Sequence, residues 1–113
     1  MVAVDPEPDA VVNTRDNARL NGLEGVIHPV IGSVECVAGG QFGLILANLW
    51  GDLVVSKLEL LAALTRHGGS LLLSGIQLEY AFEIKEGLGR LGFDCSRYRI
   101  LEEYGTLVFT RPA

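Results

Sequence analysis

The chain has 113 residues, 49% of them hydrophobic and 20% charged, and carries a net charge of -5. That length suits one domain with a real core, expected to span residues 1–113, and excludes two; the composition excludes a disordered chain. The acidic balance argues against nucleic acid as a partner, because phosphate-binding surfaces need a basic stripe or patch, and leaves a protein or small-molecule ligand.

No apolar run approaches the roughly 20 residues that cross a bilayer, and the N-terminus has neither the basic nor the apolar region of a signal peptide. No membrane contact and a cytoplasmic location are expected. Cys36 and Cys95 lack CxxC spacing, so no metal site or disulfide framework is expected, and free thiols of this kind are usually buried.

The first element in chain order is a short apolar strand, Met1 to Val4, closed by the turn residues Asp5-Pro6-Glu7-Pro8. Pro8 fits the first turn of a helix over about Asp9 to Leu20, with Val11 and Ala18 on its buried face and Asn21-Gly22 as its stop. Val26 to Ile31 reads as a strand, and Pro29 inside it, having no amide to donate, places it at a sheet edge. A linking stretch runs from Gly32-Ser33 through Gly40.

The run Gln41 to Trp50 reads as a buried strand that stops at the polar Asn48, bounded by Gly39-Gly40 and Gly51-Asp52. In open α/β sheets ligands bind outside the carboxyl ends of parallel strands, so Asn48 followed by Trp50 marks a candidate site. Val54, Leu58, Leu61 and Leu64 then follow a helical period, with Asp52 as the expected cap and Gly68-Gly69 as the expected terminator. Leu71 to Leu73 reads as a strand covered on both faces. A second helix should bury Ala81, Ile84, Leu88 and Leu91 and end at Gly92. Arg97 to Leu101 and Thr106 to Thr110 form an expected antiparallel hairpin, turning near Glu103 to Gly105. Alternating strands and helices define an α/β fold with a mostly parallel sheet.

Gly87-Leu88-Gly89-Arg90-Leu91-Gly92 matches the dinucleotide fingerprint G-x-G-x-x-G. That fingerprint needs a strand entering a helix and an acidic residue about 20 positions on, after a second parallel strand. The helical stripe accounts for Leu88 and Leu91, leaving Gly87 and Gly89 to small-residue packing in a last helical turn. A nucleotide-binding oxidoreductase therefore ranks last among the readings.

Several stretches taken together resemble class I S-adenosylmethionine-dependent methyltransferases, in particular the PrmA group, which methylates a large-subunit ribosomal protein. They are Val2-Ala3-Val4-Asp5-Pro6, Asn17 through Gly22, Gly32-Ser33, Phe42 through Leu49, and Gly68 through Ile76. The resemblance implies a partial Rossmann-like methyltransferase fold with S-adenosylmethionine as cofactor. It implies that Asp5 accepts the cofactor's ribose hydroxyls, that Ser33 and Val34 pass the adenine, and that Asn48 lies beside the methyl donor and orients an incoming amine. Leu49 and Trp50 would then line the acceptor side. Each residue has a plainer alternative: a turn or cap for Asp5, a turn for Ser33, a helix cap for Asn48, a core tryptophan for Trp50. The proposition uniting the reading is that Asp5 and Asn48 emerge on one rim of the sheet. Methyl transfer needs alignment and no covalent nucleophile, so His28 and His67 are read as structural, His67 as a cation complementing the end of a helix.

The resemblance also implies what is missing. The family's glycine-rich loop should lie about 20 residues before Asp5, and only four residues precede it. The family's first strand, which belongs between the strand ending at Asp5 and the one ending at Asn48, is absent too, as is the N-terminal substrate-recognition domain. Gly43 and His67 depart from the family's usual Asp and Pro. The expected function is protein lysine or amine N-methylation, inactive in this N-terminally incomplete chain alone, with weak or absent cofactor binding. The alternative is a non-catalytic binding or self-associating module, because removing a central strand exposes unpaired backbone edges.

Overall fold

The computed structural model describes residues 1–37 and 39–113; Ala38, in the expected linking stretch, lies outside the described residues. The chain forms two compact units, Met1–Ala38 and Gly39–Ala113.

The first unit is a β–α–β arrangement. Strand β1 (Val2–Asp5) leads through Pro6 and Glu7 into helix α1 (Pro8–Leu20), whose N-terminal proline needs no hydrogen-bond partner at the position where helices leave amides unpaired. Val11 and Ala18 are its buried residues, as the seven-residue spacing required. Strand β2 (His28–Ile31) pairs parallel with β1, from Val2 opposite His28 to Asp5 opposite Ile31. It begins two residues later than the apolar pattern implied, because the Val26 and Ile27 amides both donate to the Leu23 carbonyl in a turn. Pro29 sits on this sheet edge as expected. A short 3-10 helix follows at Val34–Val37.

The second unit is a four-stranded sheet in the order β3-β4-β6-β5. Strands β3 (Phe42–Ala47) and β4 (Thr65–Gln77) run parallel; β6 (Tyr104–Thr110) lies antiparallel to both β4 and β5 (Asp94–Leu101). The sheet is therefore mixed, parallel where a helical crossover joins the strands and antiparallel at the expected hairpin. The hairpin turns at Glu102 and Glu103, Glu102 adopting φ 58°.

Helices α2 (Gly51–Ser56), α3 (Leu58–Leu64) and α4 (Leu78–Arg90) supply the core of this unit. Leu71, Leu73, Leu107 and Phe109 alternate along β4 and β6 and are buried with Val54, Leu61, Ile84 and Leu88 of the helices. On the opposite side of β3, Leu44 and Leu46 remain 60% and 67% exposed.

Several expectations are corrected. The single helix over Asp52 to Leu64 is two, parted at Lys57, whose amide donates to the Val54 carbonyl in a three-residue turn before α3 restarts. Asp52 does not cap it. The capping position is Trp50, and the Asp52 carboxylate accepts the adjacent Leu53 amide in the first turn. Gly68-Gly69 does not terminate the helix either: α3 ends at Leu64, the buried Thr65 hydroxyl donates to the Leu61 carbonyl, and both glycines lie within β4 at a register shift opposite Phe42 and Leu44.

His67 consequently sits in a strand, with Nδ1 3.2 Å from the Pro112 carbonyl. The cation at the end of α3 is Arg111, whose Nη1 donates to the Ala62 and Thr65 carbonyls at 3.1 and 2.6 Å. A guanidinium there adds donors to carbonyls at the helix end, that of Ala62 also accepting the Thr65 amide, and complements the helix's negative pole.

Helix α4 buries Ala81, Ile84 and Leu88 as expected, but Leu91 falls beyond its end and is 41% exposed. Gly87 and Gly89 are helical; a Cβ on Gly87 would stand 2.5 Å from Leu58 Cδ1, which is the small-residue packing inferred above, whereas Gly89 has open space around it and does not pack closely. Cys36 and Cys95 are free, and both are exposed where burial was expected. The reason at Cys95 is its place on β5, an edge strand exposed along its whole length.

Candidate functional site

The first unit gathers three of the expected residues on one rim. β1 and β2 are parallel, so their carboxyl ends coincide, and the Gly32 amide donates to the Asp5 carbonyl at 3.0 Å. Asp5 Oδ1 accepts the Glu7 amide at 2.9 Å. This bond fixes the carboxylate in a turn, while Oδ2 takes no donor among the described residues. The turn reading and the cofactor reading of Asp5 are thus compatible, one oxygen serving each. Ser33, just past β2, donates its hydroxyl to Glu35, and half-buried Val34 opens the 3-10 helix.

In the second unit, Asn48 directly follows β3, with Ala47 paired to Leu73 of the parallel β4. Its amide oxygen stands over Gly75, where a Cβ would come within 2.7 Å of Oδ1. Gly75 has φ 69° and lies in the register shift between Leu73 and Ile76. A left-handed backbone without a side chain is what lets β4 pass so close to the amide. Asn48 is not the helix cap. α2 begins after Trp50, which caps without a side-chain bond.

What holds this turn is a set of residues not singled out in the sequence. Gln77 Oε1, at the end of β4, accepts the Gly51 amide at 3.1 Å. The Tyr80 ring, one turn into α4, lies so near Gly51 that a Cβ there would meet Cδ2 at 2.4 Å. Gln77 was visible by the same sign as Asn48, a polar residue ending an apolar run; Tyr80 shows only in three dimensions. Leu49 is half-buried within the turn, and Trp50 is 67% exposed, so it is not a core residue.

The described residues offer groups for two parts of the expected ligands: Asp5 has a free oxygen for a diol, and Asn48 an amide oxygen beside Gly75 for an amine. Among the described residues no cluster of three or more His, Cys, Asp or Glu is placed to hold a metal, and no helix is long and apolar enough to cross a membrane.

Parallel strand pairs joined by helices, with polar residues at their carboxyl ends, give a Rossmann-like α/β arrangement. The chain superposes on a solved ribosomal protein L11 methylase from Lactobacillus delbrueckii subsp. bulgaricus with TM-score 0.88, over 99% of this chain and 57% of that one, at 22% identity. A solved methyltransferase from Pyrococcus furiosus gives TM-score 0.79 over 99% and 62%, at 18% identity. The family model described as "Ribosomal protein L11 methyltransferase (PrmA)" matches residues 1–112. Ribosomal protein L11 methyltransferases of Geobacter sulfurreducens and Citrifermentans bemidjiense are 32% and 33% identical to it, over 96% and 99% of this chain. This chain belongs to the ribosomal protein L11 methyltransferase (PrmA) family. It spans about a third of the length of these curated relatives, 36% in both cases.

Proposed function

We propose that the chain is part of an S-adenosylmethionine-dependent N-methyltransferase domain acting on a protein amine, with weak or absent cofactor binding and no activity by itself. The observation that carries this reading is the Asn48 amide oxygen held over Gly75 at the end of a parallel strand pair in a chain of this family. S-adenosylmethionine, when bound, supplies an already activated methyl group, so the protein's task is alignment and exclusion of water. Asp5 Oδ2 would take ribose hydroxyls, since charge-assisted bonds from a diol to a carboxylate are short and directional. Ser33 and Val34 would flank the adenine. Asn48 Oδ1 would accept a hydrogen bond from the acceptor amine, and Leu49 and Trp50 would form the acceptor's apolar wall. The acidic charge fits a protein partner rather than nucleic acid, whose phosphates call for a basic surface.

Trp50 is the only tryptophan and is exposed, so its fluorescence reports directly on ligand at the acceptor side. S-adenosylmethionine or its demethylated product should quench it weakly but saturably, and Asp5→Ala should abolish the effect. No response at millimolar ligand would remove cofactor binding from this chain.

A second reading, a self-associating module, is favoured by a separate observation. Among the described residues β1 pairs with β2 alone and β3 with β4 alone, so each leaves an open backbone edge beside exposed apolar residues: Val2 at 38%, Leu44 and Leu46. Open, apolar edges are templates for pairing with another chain, and a charge placed on them blocks it. Sedimentation should show concentration-dependent oligomers that Leu46→Lys diminishes. A monodisperse monomer at all concentrations would rule this out.

A further inference from the structure

Beside Asn48, Gly75 also forms part of the wall of a groove of about 630 Å³ between the end of β4 and the β5–β6 hairpin. The volume is that of a small-ligand site. Ile100, Leu101 and Tyr104 give it an apolar and aromatic lining, and Arg99 stands among them. Ile100 and Leu101 are 51% and 78% exposed.

Arg99 is the decisive member. The chain has nine Lys and Arg against fourteen Asp and Glu, so a cation without a partner is against its general balance. Arg19 pairs with Glu24, Arg90 with Glu86, and Arg111 donates to backbone carbonyls; Arg15, Arg66 and Arg97 have no ion pair among the described residues, but Arg99 is the basic residue that lines this groove. The Arg99 side chain has no ion pair or hydrogen bond among the described residues, and it is exposed on strand β5. Its own cross-strand neighbour is Thr106, which also lines the groove and offers no charge. The acid in the lining, Glu102, belongs to the hairpin turn, where φ is 58°.

We propose that this groove is the acceptor-peptide subsite, with Arg99 taking a carboxylate next to the amine that is to be methylated. The inference rests on the methyltransferase reading for the amine and on charge complementarity for its neighbour. A guanidinium offers a planar fork of donors that matches a carboxylate. The apolar lining takes an aliphatic side chain on the other flank. Gly75 joins the two ends of the arrangement, since it lies under the Asn48 amide oxygen and at the groove's wall. Glu102 repels an acidic peptide and so sets how strongly it binds.

The probe is acetyl-Glu-Lys-Leu-amide, titrated without cofactor into the full 113-residue chain, followed by amide proton–nitrogen NMR shifts. Shifts are expected at Gly75, Ile100, Leu101 and Gly105. Changing the peptide's Glu to Gln should weaken binding about fivefold, the scale of an exposed ion pair. Arg99→Gln should weaken the Glu peptide alone and erase that difference, as a double-mutant cycle requires for a direct pair. Glu102→Gln should tighten the Glu peptide.

Arg99 is outside the core, so dispersed spectra will show that the variant still folds. Shifts confined to other residues, no binding by the folded chain, or an equal loss for both peptides in Arg99→Gln would overturn the proposal. Sodium acetate producing the same shifts at the same concentration would overturn it too, as anion binding alone. Because no cofactor is present, a chain that binds the peptide but leaves Trp50 unmoved by S-adenosylmethionine loses cofactor binding and keeps the groove.

Discussion

Phe109→Ala is expected to destabilise the 39–113 unit by about 3–5 kcal/mol, the range for truncating a fully buried aromatic. Phe109 is 1% exposed, next to the last residue of β6, between Leu71 on β4 and Cys95 on β5. It faces the side of the sheet that α3 and α4 cover, where Leu71, Leu73 and Leu107 are fully buried. The neighbouring strands are tied by their ladders and cannot collapse into the space, so the lost contacts add to the lost transfer energy. Against a total stability of about 5–15 kcal/mol for a domain, one such change brings the unit close to unfolding. Urea denaturation followed by circular dichroism measures it. Leu101→Ala, at a residue 78% exposed, should stay within about 0.5 kcal/mol. Equal midpoints for the two variants would show that the sheet's covered face is not the core.

Gly69→Ala is expected to cost about 2–3 kcal/mol and Gly68→Ala about 1 kcal/mol. Gly68 has φ 81° but open space around it, so an added methyl meets only the penalty of a left-handed backbone. Gly69 is the opposite case. Its Cβ would fall 2.8 Å from the Arg66 carbonyl oxygen and 3.1 Å from those of Gly43 and Phe42. These are backbone atoms at a strand pairing and cannot rotate aside, so β3 and β4 would have to part. If Gly69→Ala melts no lower than Gly68→Ala, the close approach of the two strands is wrong. A pair of glycines acting as a helix stop would give the reverse order, because only the left-handed position would be sensitive.

The contrast shows where sequence reasoning reached its limit. Periodicity within one element was legible: Val11 and Ala18 on α1, and Ala81, Ile84 and Leu88 on α4, are buried as their spacing required. The helical period also ran from Val54 through Leu64, and it hid both the break at Lys57 and the early start of β4. Nothing local distinguishes Thr65 to Gly69 as a strand. They are extended because Thr65 pairs with Phe42 and Ser70 with Leu44, residues more than twenty positions away. His67 was assigned a helix end for the same reason, and Arg111, 46 positions beyond Thr65, takes that place instead. Exposure of Cys95 could not be read from residue type, because it follows from β5 lying at a sheet edge.

At the candidate site, Asn48 was legible as the polar end of an apolar run, and Asp5 as the acid closing the first strand. Their support was not. Gln77 and Tyr80 lie 26 and 29 positions beyond Gly51, the residue they hold, and the unpartnered Arg99 becomes meaningful only when the hairpin sets it beside Gly75.

Chain order and residue type thus decided the element types, their polar termini and the family, since these depend on backbone preference and short-range spacing. Folding in three dimensions decided which glycines are indispensable, which cation completes a helix and which charge is left for a ligand. Those outcomes depend on hydrogen bonds and close approaches between residues distant along the chain, which no local pattern encodes.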